Sequence, residues 1–498
     1  MERRIAVLLA LVVGVAGAAR GEEVEWKAAA PARFAKPISA TEVTPADEPL
    51  PEPVLLAPKG VVTDPPPATP KPSPEPLAQP RKLPDALPPA RTLPPNSSAM
   101  RTLTLVSEGD TPATAPPTEP VGRYYFRAEY LMWFTKLGSA PPLVTTAAVP
   151  AGGLLPPGFG LIGSPGTTIL YGNGPIGDPF HMGGRFTAGA WLDCEQTCGV
   201  DASYFFLGRN TQSVVFSSPT FPVVLRPFIQ INPPVAPNFQ IVAFPPGSTQ
   251  GGVPFPDQTG SVTVSTGTGL FGAEFNAKEC LCGCRACNGG TRVDLFAGFR
   301  YLDLDDRISI TENILIGANN VAGFPAGTIA IVNDRFSTHN QFYGGQVGAS
   351  WEYWQNRFVI DGRASVALGG THEVIMIDGT QRITPPGLPT QFFTGGLLAL
   401  RSNIGRFTTG RFAFVPEFTL NAGYMVFPRV KIFAGYNFLL WTPVARAAGQ
   451  IDPVLDISQI PNFSAVPPPP VVPTRPIVPF QQSTFWAQGA QIGVEFKW

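Results

Sequence analysis

From residue 122 onward the chain alternates. In "RYYFRAEYLMWF", Tyr124, Phe126, Ala128, Tyr130, Met132 and Phe134 share one parity, while Arg123, Arg127 and Glu129 share the other. "RFTAGAWLD" sets Phe186, Ala188, Ala190 and Leu192 against Arg185, Thr187 and Asp193, and "VDASYFF" sets Tyr204 and Phe206 against Asp201 and Ser203. The same split recurs in "FGAEFNAK", "RVDLFAGFRY", "YGGQVGASWEY", "RFVIDGRASVAL", "RFAFVPEFTLNAGYMV", "VKIFAGYNFLLW" and "WAQGAQIGVEFKW". Successive side chains on a strand point to opposite faces, so each run predicts a β-strand with one apolar and one mixed face.

Across these runs the apolar parity carries no Asp, Glu, Lys or Arg. A soluble sandwich would share that trait. Three further features favour a membrane barrel. Small residues sit among the charges, as a crowded or wet lumen requires. Aromatic residues cluster near strand ends, as in interfacial girdles. Connections alternate long (Lys136 to Gly184, Gly208 to Gly267, Asp306 to His339, Gly369 to Gly410, Thr442 to Thr484) with short. Barrels of this kind have short periplasmic turns and long extracellular loops, and only closed barrels cross hydrocarbon with strands. The expected fold is therefore all-β, an antiparallel transmembrane β-barrel of about 10–12 strands with long outer loops. The upper number allows for a strand pair from "THEVIMIDGT" and "LLALRSNIGRF". Pro416 cannot donate in a ladder and is expected at a bulge or beyond the membrane.

The mixed parity then marks the lumen. Its candidate charges are Arg123, Arg127, Glu129, Arg185, Asp201, Glu274, Arg292, Asp294, Arg300, Asp361, Arg363, Glu417, Lys431 and Glu495. On outward-running strands this parity turns apolar just before the outer loops, at Leu131 and Trp133, Phe205 and Leu207, Leu439 and Trp441. Leaving such groups in open water forgoes roughly 1.5–3 kcal/mol each. They predict a collar at the outer mouth, covered by the apolar loop from Arg209 to Gly267, which would fold back as a lid.

The N-terminus extends the picture. Arg3 and Arg4, the apolar run "IAVLLALVVGVAGAA" and the small residues Ala16, Gly17 and Ala18 predict a signal peptide over 1–19. Residues 20–121 are dense in Pro and Ala without apolar periodicity, which predicts a disordered linker. It is a candidate tether to cell wall. Residues 122–498 are the barrel. Charged residues are only 14% of the chain and the formal net charge is −1, so no nucleic-acid partner is expected.

Six cysteines fall in two expected short turns, Cys194 and Cys198 in one, Cys280, Cys282, Cys284 and Cys287 in the other. In an exported chain they read first as disulfides. The Cys-x-Cys spacings are tighter than in zinc sites, so no metal is expected. Asp303, Asp305 and Asp306 lack the glycine and distal glutamate of a calcium loop and read as a solvated loop edge. His181, His339 and His372 fall in or near outer loops, with no motif supplying a nucleophile or metal partner. No cofactor and no catalytic residue is expected.

The blocks "AEYLMWFTK", "GGRFTAGAWLD", "GFRYLDLDD", "NQFYGGQVGASWE", "LLALRSNIG", "FVPEFTLNAGY", "GYNFLLWTPVARAAGQID" and "STFWAQGAQIGVEF", in this order, resemble the putative beta-barrel porin-7 family of outer-membrane proteins, known mainly from planctomycete-type bacteria. The resemblance spans Gly122 to Trp498. It implies an integral barrel in the cell outer membrane, in contact with its lipid, and supplies no functional residues. The terminal strand ending in Trp498 looks like those presented to barrel-assembly machinery. The expected function is porin-like passage of small solutes through a loop-restricted lumen. The alternative is a structural or adhesive barrel with no open pore, tethered through the Pro-rich segment. If the short turns face the periplasm, a protease site inserted at Gln355-Asn356 is cut only after the outer membrane is breached, and one between Gly251 and Gln258 is cut on intact cells; the reverse pattern inverts the orientation.

Overall fold

The computed structural model describes residues 122–231, 235–282, 290–319, 323–461 and 474–498. The expected signal peptide and Pro-rich linker lie outside the described residues, as do Cys284 and Cys287. Ten long strands form a closed ring: β1 (Tyr124–Thr135), β2 (Phe180–Trp191), β3 (Cys198–Ser217), β4 (Gln258–Cys282), β5 (Gly290–Ile316), β6 (Ile329–Gln355), β7 (Phe358–Thr384), β8 (Gly405–Phe427), β9 (Val430–Ala445) and β10 (Gln482–Lys497). Each pairs antiparallel with its neighbours in sequence. β10 returns to β1, from Tyr125 opposite Lys497 to Thr135 opposite Ala487, so no edge remains.

Parity sorts the side chains outside-in. Tyr130 is 45% exposed while Leu131 beside it is 0%, because the even positions of β1 face lipid and the odd positions face the lumen. Outward rings cluster at two levels. Tyr124 meets Trp498, and Phe358 meets Tyr424, at the short-turn end. Tyr204, Phe271, Tyr301 and Tyr343 form a chain of ring contacts at the other level, with Phe134 against Phe180. The two levels are ten positions apart on β1 and on β6, Tyr124 to Phe134 and Tyr343 to Tyr353. That separation matches the roughly 9–11 tilted residues a barrel strand needs to cross a bilayer.

The strands do not stop there. β5, β6 and β7 each continue over 27 residues, so much of what reads as outer loop is wall. Asp303, Asp305 and Asp306 are strand residues and not a loop edge, and Asp306 is buried against Arg446. The three histidines also lie on strands, His181 on β2, His339 on β6 and His372 on β7. "THEVIMIDGT" is the upper part of β7, and residues 397–404 turn into the mouth, so no further strand pair joins the ring. Pro416 sits within β8 opposite Val366. Towards β9 the ladder passes from Phe414–Thr442 to Glu417–Leu439. The register is kept across this gap without a bulge, since Pro416 has no N–H to give. A bulge on β9 lies between Trp441 and Val444, and another re-aims the wall on β3, where Gly208 and Arg209 oppose Gly269. It flips parity, so Phe205 and Leu207 point inward below it, and Val214 and Phe216 point inward above it.

Candidate functional site

The lumen is the natural place to look for function, and it is filled. Nearest the short turns lies a layer of ion pairs. Asp201 on β3 meets Lys278 at 3.2 Å and Arg363 at 3.4 Å. Arg363 bridges to Glu274 at 2.9 Å, Glu274 to Arg300 at 3.1 Å, and Arg300 on to Glu417. Glu417 also takes Arg185 at 2.9 Å. Across the lumen Arg127 meets Asp361, Glu129 and Glu495, and Lys431 meets Asp361 at 2.8 Å and Glu495 at 3.1 Å. Side-chain amides complete the acceptors: Asn276 donates to Asp201, Gln346 to Glu274, Asn421 to Asp361 and Asn437 to Glu417. Charges so far from bulk water are tolerated only when paired and hydrogen-bonded, and removing one partner costs roughly 3–5 kcal/mol.

All the charged residues assigned to the lumen from parity lie in this layer except Arg123, which is exposed at the rim and donates to the Leu192 carbonyl at 3.0 Å. Arg292 pairs with Asp294 at 2.8 Å and stacks on the Trp191 ring at the rim. Lys278, Glu352 and Lys497 belong to the same network; Lys278 shares the parity of Glu274 and Lys497 that of Glu495, while Glu352 stands on β6, opposite Arg292 and Asp361. Lys497 reaches Glu352 at 3.2 Å and Glu495 at 3.0 Å. The network encloses a cavity of about 440 Å³, lined from Gly122, Gln196 and Asn356 at the rim up to Arg300 and Glu417. Its lining ends at Phe205, Arg300 and Glu417.

It ends at an apolar layer. Leu131, Trp133, Phe205, Leu207, Leu439 and Trp441 are all buried and pack with Leu270, Leu302, Leu304, Phe342, Val415 and Phe485. Nine of the ten strands contribute to this cluster, and β2 supplies Gly183 and the buried His181 at the same level. Gly272 shows how tight it is, since a Cβ there would lie 2.4 Å from the Phe205 ring and 2.6 Å from Leu302. The Trp441 indole donates to Thr371 Oγ1 at 3.0 Å, which removes the penalty for burying its N–H.

Above this layer four connections pack in the mouth, residues 397–404 among them. Val224–Gln230 and Ala236–Ala243, from the loop between β3 and β4, pair with each other. Val144–Ala147 and Val454–Leu455, from the first and last long loops, add to the same sheet. Alternation again divides the faces. Val224 and Phe228 point into a core shared with Val262, Ile310, Phe336 and Ile375 of the walls, while Val223 and Leu225 pack under Leu155, Phe159 and Phe244. The loop expected over Arg209 to Gly267 is shorter, because β3 and β4 run on to Ser217 and from Gln258. It plugs the space between the strand extensions; the collar cluster below is built from barrel strands alone.

One charged group pins this cap. Arg226, 1% exposed, lies between Val224 and Phe228 and reaches Glu312 on β5 and Asp334 on β6, the latter at 3.3 Å. Asp334 Oδ1 also accepts the backbone N–H groups of Leu397, Leu398 and Ala399 at 2.9–3.0 Å. One carboxylate thus ties two loops to the wall. Glu312 lies eleven positions beyond Tyr301, clear of the membrane, and burial pushes its carboxyl up to about 7 against the pull of Arg226, with Asp334 adding to the rise.

The cysteine turns depart from expectation at three positions, while Cys280 is disulfide-bonded. Cys194, Cys198 and Cys282 carry free thiols. The β2–β3 turn is closed instead by the Asp193 carboxylate, which accepts from the N–H groups of Thr197 and Cys198 and from the Thr197 hydroxyl. Those bonds hold its pKa down to about 2. Cys280 is buried beside the neighbouring turn. Among the described residues no cluster of three or more metal-ligating side chains is present.

Compared with known proteins, the chain matches the family model described as "Putative beta barrel porin-7" over residues 125–498. Among curated proteins none matches. Solved structures that resemble it include the outer membrane protease OmpT from Escherichia coli, at 9% identity and TM-score 0.33, covering 76% of this chain and 97% of that one. The P. putida toluene transporter TodX (8%, TM-score 0.17) and a Pseudomonas aeruginosa FadL homologue (7%, TM-score 0.19) each cover 76% of this chain and 90% of their own. At these scores the likenesses carry no functional weight.

Glu312 sets a pH dependence for the cap. Its folded pKa lies above the ordinary carboxylate value, so the folded state holds the proton more tightly. The resulting stability is full below about pH 4.5 and is lost as pH rises through about 7. Protease resistance of the 218–257 loop should therefore fall between pH 5 and pH 8, and Glu312→Gln should flatten that slope. Arg226→Met, which strands two buried carboxylates, should destabilise the cap by roughly 3–5 kcal/mol. An unchanged pH slope in the glutamine variant would contradict this account.

Proposed function

The chain belongs to the putative beta barrel porin-7 family, and from that premise we propose that this outer-membrane barrel is sealed, serving as a structural anchor and not as a diffusion pore. The observation that carries the proposal is the stacking of three fillings on one axis: ion pairs, apolar collar and loop cap. A water path would have to displace collar side chains at roughly 1.5–3 kcal/mol each and then unseat a cap pinned by Arg226. Porin-like passage, the expectation from the sequence, would have to run through this packing, since the lining of the 440 Å³ vestibule reaches no farther than Phe205, Arg300 and Glu417.

As an anchor the barrel has two working ends. The cap sheet is a rigid platform at the long-loop end. At the short-turn end the segment preceding the barrel is attached at Gly122, where Tyr124 and Trp498 exchange backbone hydrogen bonds at 2.9 and 3.0 Å. Joining an envelope-side segment to a fixed outer platform needs no pore.

Planar-bilayer recording of the refolded full chain tests the reading. Wild type should show no steady conductance. Trp133→Gly with Trp441→Gly should admit current only when the 219–246 segment is also deleted, with each variant still heat-modifiable on gels. Salt-dependent steady channels from the wild type would overturn the sealed barrel.

A further inference from the structure

β3 to β7 rise past the outer aromatic level, and the outward faces of these extensions have an unusual composition. Reading across the strands from the exposed Val215 on β3, Thr263, Thr311, Asn333 and Thr380 fall in one register row. The next row runs Ser213, Ser265, Ser309 and then Arg335. Water alone asks only for polarity, and Lys and Glu commonly supply it. Yet the outward positions of these five extensions contain neither; the charges are Arg and Asp, and most other side chains are short. Short side chains on paired strands lose little rotamer entropy when they bind, which suits recognition of a rigid polyhydroxyl.

The charges are placed to match. Arg209, turned outward by the β3 bulge, pairs with Asp305 at 2.9 Å just above the ring chain. Asp303 is held by the Tyr301 hydroxyl and His339. Arg307 and Arg335 are exposed and make no ion pair among the described residues, although Asp378 stands opposite Arg335 in register. They lie six and eight positions beyond Tyr301 and Tyr343, which at about 3.3 Å per residue and 40° tilt is roughly 15–20 Å above the membrane boundary. On an outer-membrane barrel that level is occupied by the sugar headgroups of outer-leaflet glycolipids.

We propose that the outward face of the β3–β7 extensions binds the phosphorylated sugar headgroup of an outer-leaflet glycolipid. Arg307 and Arg335 take phosphate oxygens with their guanidinium forks, and the Ser/Thr/Asn rows take sugar hydroxyls. The face lies outside the ring and is independent of whether the lumen is sealed. Full-length protein in neutral detergent tests it, with a bisphosphorylated rough lipopolysaccharide as probe. Its dephosphorylated form and phosphatidylglycerol are the controls. Saturable binding of the phosphorylated probe is expected, together with a rise in the heat-modification midpoint. Arg307→Gln with Arg335→Gln should weaken binding at least about tenfold, as loss of two charge-assisted contacts implies. Ser265→Val with Ser309→Val should weaken both glycolipids while leaving the barrel heat-modifiable. Equal affinity for phosphatidylglycerol, no loss on dephosphorylation, or wild-type binding by the double Arg variant would overturn the proposal.

Discussion

The structure depends on one constraint: in hydrocarbon every backbone N–H and C=O must find a partner within the protein. Pairing β10 back onto β1 meets it and leaves no edge. Ten strands close on a narrow interior, and a narrow interior has to be packed. The lumen therefore behaves as a core turned inside out, with rings such as Tyr130 and Phe206 given to lipid and Asp201, Glu417 and Glu495 enclosed. Charges survive there because each of these carboxylates has cationic partners on other strands, and Asp201 and Glu417 have amide donors besides.

Packing changes character with height because the sources of side chains change. Within the membrane only wall residues are available, and they supply first ion pairs and then the collar. Above it the ring continues as tall walls on β3 to β8, while β1, β2, β9 and β10 end lower. Loops fill the difference. Their strands form a sheet whose inner face is apolar, so the cap buries itself on the extended walls as any amphipathic sheet would. Arg226 is the exception on that face, tolerated because Glu312 and Asp334 wait for it on two different strands. Packing of the lumen and anchoring of the cap are thus consequences of one tall, narrow ring.

Much of this was legible in alternation alone. Strand faces, the ring architecture and the apolar turn at Leu131, Trp133, Phe205, Leu207, Leu439 and Trp441 all follow from a period of two. Lys278 and Lys497 could have been read by the same rule. The aspartates at 303, 305 and 306 could not. Three acids in four positions look like a solvated turn, and only the fold divides them between Arg446 inside and Arg209 and His339 outside. Free thiols at Cys194 and Cys198 were equally hidden, because Asp193 closes that turn through backbone contacts composition does not report.

The chain by itself determined which way each strand side chain faces, because alternation is a local property of the pleat. It also determined that one face meets lipid, since ten charge-free apolar faces come with aromatic strand ends and with long loops alternating with short turns. Tertiary structure alone decided whether the interior is open. Arg185 and Glu417 are 232 residues apart and Arg127 and Asp361 are 234 apart, so their pairing depends on ring diameter and register. Those are set by the sum of all strand pairings, which no short stretch of sequence contains. The seat of Arg226 was decided in the same way, by a loop meeting two walls that have no local relation to it.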